Sequence, residues 1–422
     1  MKFRNRIVPL ASLLSLLAAC TSTPLKDAKD TSKETAKPIP TAQTTKPAET
    51  TTATSKPTGT GATIPAPKTA INYAQVYKQA SFADLPGWLQ DDQREVWPAL
   101  INSCNALKNR LDWKDICRVA SGIDSASLVE VRLFFEQYFN VHRIQNSEGG
   151  LEGMATGYYE PLLTGSRAKS GVFQTALYKT PSDLLTIDMG EVYPDLKNMR
   201  LRGRVVGNKV LPYPSRADIL PSLAGNEIVY VDDAVDAFFL QIQGSGRVRL
   251  AETDEVIRLA YADQNGHPYK SIGRYLVDKG ELKLEQASAQ GIKEWITKNP
   301  ARKDELLNAN PSMVFFKEEK LLDPSIGPKG ALGVPLVGQR SIAIDPQHLP
   351  LGAPVFLATT YPNTDKPLQR IMMAQDTGGA IRGPVRADFF WGFGKEAGEL
   401  AGRMKQKLAM WVLLPKNANK PS

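Results

Sequence analysis

Two aspartates stand out as groups that could do chemistry, in the run Asp376-Thr-Gly-Gly-Ala-Ile-Arg-Gly-Pro-Val-Arg-Ala-Asp388-Phe-Phe-Trp391-Gly-Phe-Gly394. Its glycines let the backbone turn tightly and approach a ligand, because glycine accepts positive φ without a Cβ clash. The aromatics after Asp388 offer apolar ring faces suited to the C–H side of a sugar. An acid beside such a wall loses solvation, which raises its pKa and keeps it protonated as a proton donor. The plainer alternative is that Asp376 caps a turn and that Phe389 or Phe390 belongs to the core.

Other chemistries find little support. The histidines are His142, His267 and His348, far apart and without His-x-x-x-His or Cys-x-x-Cys spacing, so no metal site and no cofactor is expected. There is no Gly-x-Ser-x-Gly elbow, and Gly244-Ser245-Gly246 is too short to cradle a phosphate. Asp376-Thr-Gly resembles half of an aspartic peptidase site, but that chemistry needs two such loops and only one copy is present. Carboxylates must therefore carry most of the chemistry.

The elements that would position them begin after a long N-terminal preamble. Lys2, Arg4 and Arg6 precede an apolar run from Ile7 to Leu17, too short to span a bilayer, so residues 1–19 are expected to be a signal peptide. The run closes on Leu17-Ala-Ala-Cys20, which resembles a lipobox whose Cys20 thiol takes a diacylglyceryl group. By resemblance to known lipoproteins, Thr21 in place of an aspartate implies the outer membrane, at its periplasmic face. Residues 20–72 are mostly Thr, Ser, Pro, Ala and Lys without hydrophobic period, the composition of a disordered tether. The formal charge of +8 resides largely in these segments, about +3 in each, which leaves no basic face for nucleic acid. In a compartment that permits disulfides, Cys104 and Cys117, with twelve residues between them, are expected to pair, at roughly 3 kcal/mol by loop entropy.

Order is expected from about Tyr73. Ser81 to Leu107 and Ala126 to Phe139 carry apolar residues at three- and four-residue spacing and predict helices. After Glu148-Gly-Gly150 the runs Ile228–Val231, Phe238–Ile242, Val314–Phe316, Ser341–Ile344, Val355–Leu357 and Ile371–Met373 predict strands. Met404 to Leu414 is mixed. The fold class is mainly β with peripheral helices.

Five motifs in order are similar to the membrane-bound lytic murein transglycosylase A family: Thr156-Gly157-Tyr158-Tyr-Glu-Pro161, Phe239-Leu-Gln-Ile-Gln-Gly-Ser-Gly246, Asn310-Pro-Ser-Met-Val-Phe-Phe316, Ile344-Asp345-Pro with Leu349-Pro-Leu-Gly352, and the Asp376–Gly394 run. The last two also resemble a three-aspartate barrel module, with Asp345, Asp376 and Asp388 as its acids. The resemblance implies a double-psi β-barrel made by two chain segments (73–165 with helices, and 309–422), a second β-domain inserted at 166–308, and a groove between them. It implies Asp388 as the acid/base, Asp376 as a supporting carboxylate and Asp345 as a residue that orders the barrel. Thr156, Gly157 and Tyr158 would contact glycan from one side, Gln243 and Ser245 from the other. Arg382 stands where a lysine is frequent, and Gln243 where a neighbouring His is common.

The implied reaction is lytic cleavage of the β-1,4 bond between N-acetylmuramic acid and N-acetylglucosamine in peptidoglycan strands, with a 1,6-anhydro product and no cofactor. A cell-wall synthesis or hydrolysis complex would be a further partner. The rival readings are a hydrolytic muramidase, a non-catalytic wall-binding lipoprotein and a structural outer-membrane scaffold.

Overall fold

In a computed structural model of the chain, the residues described are 76–146, 148–196, 199 and 201–416. The signal peptide, Cys20 and the tether lie outside them. The first segment gives strand β1 (Tyr77–Ala80), helices α1 (Trp97–Leu107), α2 (Leu111–Ala120) and α3 (Leu128–Tyr138), then β2 (Phe139–Ile144) and β3 (Gly153–Glu160). There follow β4 (Leu162–Ser166), β5 (Thr175–Tyr178), β6 (Leu185–Ile187), β7 (Leu201–Val206), β8 (Lys209–Pro212), β9 (Glu227–Val231), α4 (Ala234–Gln243), β10 (Gly246–Leu250) and β11 (Val256–Gln264). Helices α5 (Ile272–Asp278), α6 (Ala289–Lys298) and α7 (Lys303–Asn308) lead to β12 (Val314–Lys320). The chain ends with β13 (Ser341–Ala343), β14 (Pro354–Thr360), β15 (Pro367–Asp376), β16 (Arg386–Phe393), α8 (Gly394–Arg403) and β17 (Lys405–Pro415).

Pairing among the early and late strands runs in a circuit. It goes from β3 to β16, β13, β15, β14 and β17, and β17 pairs with β3 again. Strands β2 and β1 extend from β17. The middle of the chain makes a separate sheet in the order β12-β11-β10-β4-β9-β5 and a small one of β6, β7 and β8. Alternation explains the circuit's apolar strands. Leu408, Met410 and Val412 of β17 face one cluster with Val355, Leu357, Met372, Ala374, Phe389 and Trp391. Trp411, Leu413, Phe356, Ile371 and Met373 face a second cluster, under α1 to α3. Strands covered on both faces read as continuous apolar runs, which is why 404–414 showed no helical or strand period although it forms β17.

Several expectations change. Phe238–Ile242 is helical: Asp233 accepts from the backbone N–H groups of Val235 and Asp236 at 2.7 and 3.0 Å, and Gly244 ends α4 in the left-handed region at φ 81°. These cap signals outweigh a short apolar run whose burial on several sides hides its period. Of Ser81–Leu107 only Trp97 onward is α-helix; two short 3-10 turns precede it. By sheet membership the chain leaves the circuit at Pro161 and re-enters after Lys320, because β4 pairs with β10 and β12 with β11. Cys104 and Cys117 form a disulfide that joins α1 to α2, with Cα atoms 5.3 Å apart.

Candidate active site

The register of four strands assembles the site. Asp376 at the end of β15, Ala343 of β13, Asp388 of β16 and Thr156 of β3 are partners in one row. The two acids, twelve residues apart around a glycine-containing loop, therefore sit on strands separated by β13, about 10 Å apart at the backbone.

Asp388 is part-buried: some of its surface meets solvent, while protein atoms crowd its carboxyl group on nearly every side. The Thr156 hydroxyl donates to its Oδ1 at 2.5 Å. Arg386, two residues earlier on the same face of β16, donates from Nη2 to Thr156 Oγ1 at 2.8 Å. Because a guanidinium only donates, that bond aims the threonine hydrogen at Asp388. Burial pushes the Asp388 carboxyl up to about 6. Asp376 adds to the rise, whereas the Thr156 hydroxyl and the Arg386 charge oppose it. At neutral pH and just below, this acid can both give and take a proton.

Asp376 is engaged on both oxygens. Its Oδ2 accepts from the Tyr158 hydroxyl at 3.0 Å, and its Oδ1 from the backbone N–H groups of Ala331 and Thr377, each at 2.9 Å. Burial and the two nearby carboxylates hold the Tyr158 phenol well above its usual pKa, so it stays a donor. Asp345 is buried: its Oδ2 accepts from Gly383 N at 2.8 Å and its Oδ1 from Gln347 N at 3.1 Å, which ties down the loop between β15 and β16.

The three aromatics directly after Asp388 are core, the plainer of the two expectations, and do not offer open ring faces. Phe389, Phe390 and Trp391 are 0%, 2% and 4% exposed. The cause is the position of β16 inside the circuit, with Phe389 and Trp391 in one cluster and Phe390 in another beside Tyr158, ring centroids 5.1 Å apart. None of the three presents an open ring face. Among the expected glycan contacts, Thr156 reaches Asp388 and Tyr158 reaches Asp376. Gly157 lies against Trp391 and Ala401, where a Cβ would come within 2.7 and 2.9 Å of their atoms. Gln243, at the end of α4, accepts from Tyr159 N at 3.0 Å, which brings the 243–246 turn alongside β3, and Ser245 in that turn is 9% exposed.

Sequence reading missed Arg386, whose i, i+2 spacing to Asp388 on a strand was the available signal. It also missed the role of Glu160. That residue is fully buried and meets Arg247 at 2.8 Å and Arg258 at 2.6 Å, from β10 and β11, fastening β3 to the inserted sheet.

Residues 154–317 match the MltA specific insert domain, and residues 340–414 match the 3D domain. The chain is 34% identical over 267 residues to membrane-bound lytic murein transglycosylase A of Escherichia coli strain K12, an alignment that covers 61% of this chain and 64% of that relative. It thus spans just under two thirds of the relative's length. A crystal structure of MltA from Neisseria gonorrhoeae is similar at 40% identity with a TM-score of 0.71, over 82% of this chain and 94% of that one. A crystal structure of E. coli MltA with bound chitohexaose is similar at 27% identity with a TM-score of 0.57, over 81% and 91% of the two chains.

Proposed function

Because the chain belongs to the membrane-bound lytic murein transglycosylase A family, we propose that it cleaves peptidoglycan strands at the β-1,4 bond between N-acetylmuramic acid and N-acetylglucosamine, with Asp388 as the one acid/base. Protonated Asp388 gives its proton to the glycosidic oxygen as the bond to the muramoyl C1 breaks. The C6 hydroxyl of the same muramoyl residue then attacks C1, and its proton passes to the Asp388 carboxylate. The product carries a 1,6-anhydro ring and the acid is regenerated without water. The Thr156 hydroxyl, fixed by Arg386, stabilises the transient carboxylate.

The observation that carries this reading is the unequal state of the two acids. Asp388 is crowded, raised to about 6 and held by a single hydroxyl, whereas three donors occupy Asp376. A hydrolytic muramidase needs a second carboxylate free to activate water, and Asp376 is poorly placed for that. Chitohexaose bound to the E. coli relative supports a glycan substrate. The circuit of six strands supports the double-psi barrel, with the inserted segment as its second domain. The relatives' names support membrane association, which we assign to acylated Cys20 at the outer membrane; no helix among the described residues is long and apolar enough to cross a bilayer. Digestion of purified sacculi followed by mass analysis of the products tests the reaction: anhydro ends are expected, and reducing ends alone would refute it.

A further inference from the structure

We propose that Phe393 is a stacking subsite for a pyranose ring of the glycan strand, some way along the groove from the bond that is cut. This inference rests on the glycan reading above. Along β16, side chains alternate, so Asp388 and Phe390 share a face with their β3 partners Thr156 and Tyr158. Simple alternation would turn residue 393 to the opposite face. A bulge intervenes: the partner after Phe390–Tyr158 is Phe393–Glu160, one residue late. Gly392 makes it possible at φ 105°, a conformation that side chains with a Cβ rarely adopt. The bulge thus re-aims Phe393 onto the face of the acid, and four strand residues separate the two, roughly 13 Å at the usual rise.

While Phe389, Phe390 and Trp391 are packed away, Phe393 keeps 51% of its surface exposed. The ring is backed by the guanidinium of Arg247, whose Cζ lies 4.1 Å from its centroid. Arg247 is 5% exposed and bonded to Glu160 at 2.8 Å, so it cannot swing off the ring. Arg247 also follows Gln243 and Ser245 by four and two residues, so the ring it backs lies next to the 243–246 turn. A flat ring held rigidly on one side and open elsewhere suits the C–H face of an N-acetylhexosamine.

The test uses Asp388→Asn protein, which binds without turnover, titrated calorimetrically with chitohexaose. Adding Phe393→Ala should weaken binding roughly five- to tenfold, and Phe393→Leu, which keeps apolar bulk but not the flat ring, should weaken it similarly. Phe393→Trp should bind at least as well as the parent. Unchanged affinity in the Ala or Leu variant would overturn the subsite alone. A folded parent that binds no chitohexaose would overturn the glycan reading and the subsite with it.

Discussion

Glu160 and Asp388 are carboxylates on the same face of one strand pair, four residues apart in register, and the protein treats them in opposite ways. Glu160 is wholly buried and two guanidiniums meet it directly, at 2.8 and 2.6 Å. Asp388 has one hydroxyl, with its nearest cation standing behind that hydroxyl. Both have lost most of their water. What separates a joint from a proton donor is the number of fixed charges placed against the carboxyl, since burial alone serves either end.

The largest effect should come from breaking the joint. Glu160→Ala leaves Arg247 and Arg258 buried without their counter-charge, and a stability loss of about 3–5 kcal/mol is expected by urea unfolding. A loss below about 1 kcal/mol would mean that the backbone carbonyls around Arg258 already satisfy the cluster.

At the other carboxylate the cost falls on turnover. Asp388→Asn cannot deliver a proton, so activity on sacculi should drop at least roughly 100-fold with the fold intact. The same variant should be more stable than the parent in alkali. A carboxyl whose folded pKa is raised from its usual value near 4 to about 6 binds its proton more tightly when folded. The parent therefore loses stability as pH rises through that window, and Asn does not. A gain on the order of 1–3 kcal/mol is expected at pH 8, shrinking toward pH 4. Melting curves at the two pH values check it, and an equal difference at both would remove Asp388 as the raised acid.

How far these regions were legible in the sequence follows from the same contrast. Asp388, the proposed acid, stood out because it sits in a motif of unusual composition, with glycines before it and aromatics after. The fate of those aromatics was not legible, because an apolar residue on a strand covered on both faces looks the same as one on an open wall; Phe390 is packed away and Phe393 is exposed, although both are phenylalanines of one strand. The Glu160 cluster was hidden for another reason. Its partners lie 87 and 98 residues away in sequence, and only the pairing of β4 with β10 and of β10 with β11 brings them together. The strands at 228, 314, 341, 355 and 371 lie where their apolar runs predict, whereas α4 follows its Asp233 and Gly244 caps and not the strand that its short apolar run predicts.

A smaller effect should follow from the cation behind the hydroxyl. Arg386→Met removes a charge that holds the Asp388 pKa down and frees the Thr156 hydroxyl to rotate. The alkaline limb of the pH–rate profile should move to higher pH, with maximal rate reduced by less than about tenfold. Arg386→Lys should move it back toward the parent. A fall in rate at every pH without movement of the limb would make Arg386 a purely structural residue.

The smallest shift, and of opposite sign, is expected at Asp376. Its charge acts on Asp388 across β13 and contributes to the raised pKa, though less than burial does. Asp376→Asn removes that charge but keeps an oxygen for the N–H groups of Ala331 and Thr377, so the acid should ionise more readily and the alkaline limb should move to lower pH. Loss of the acceptor for Tyr158 should cost on the order of 1 kcal/mol of stability. If the limb stays in place while the melting temperature falls, Asp376 is a turn cap and no more. If activity disappears at every pH, Asp376 acts as a base on water, and the single-acid reaction gives way to hydrolysis. Rate–pH profiles of the Asp376 and Arg386 variants, measured side by side, should diverge from the parent in opposite directions, because one removes a negative and the other a positive charge facing the same carboxyl.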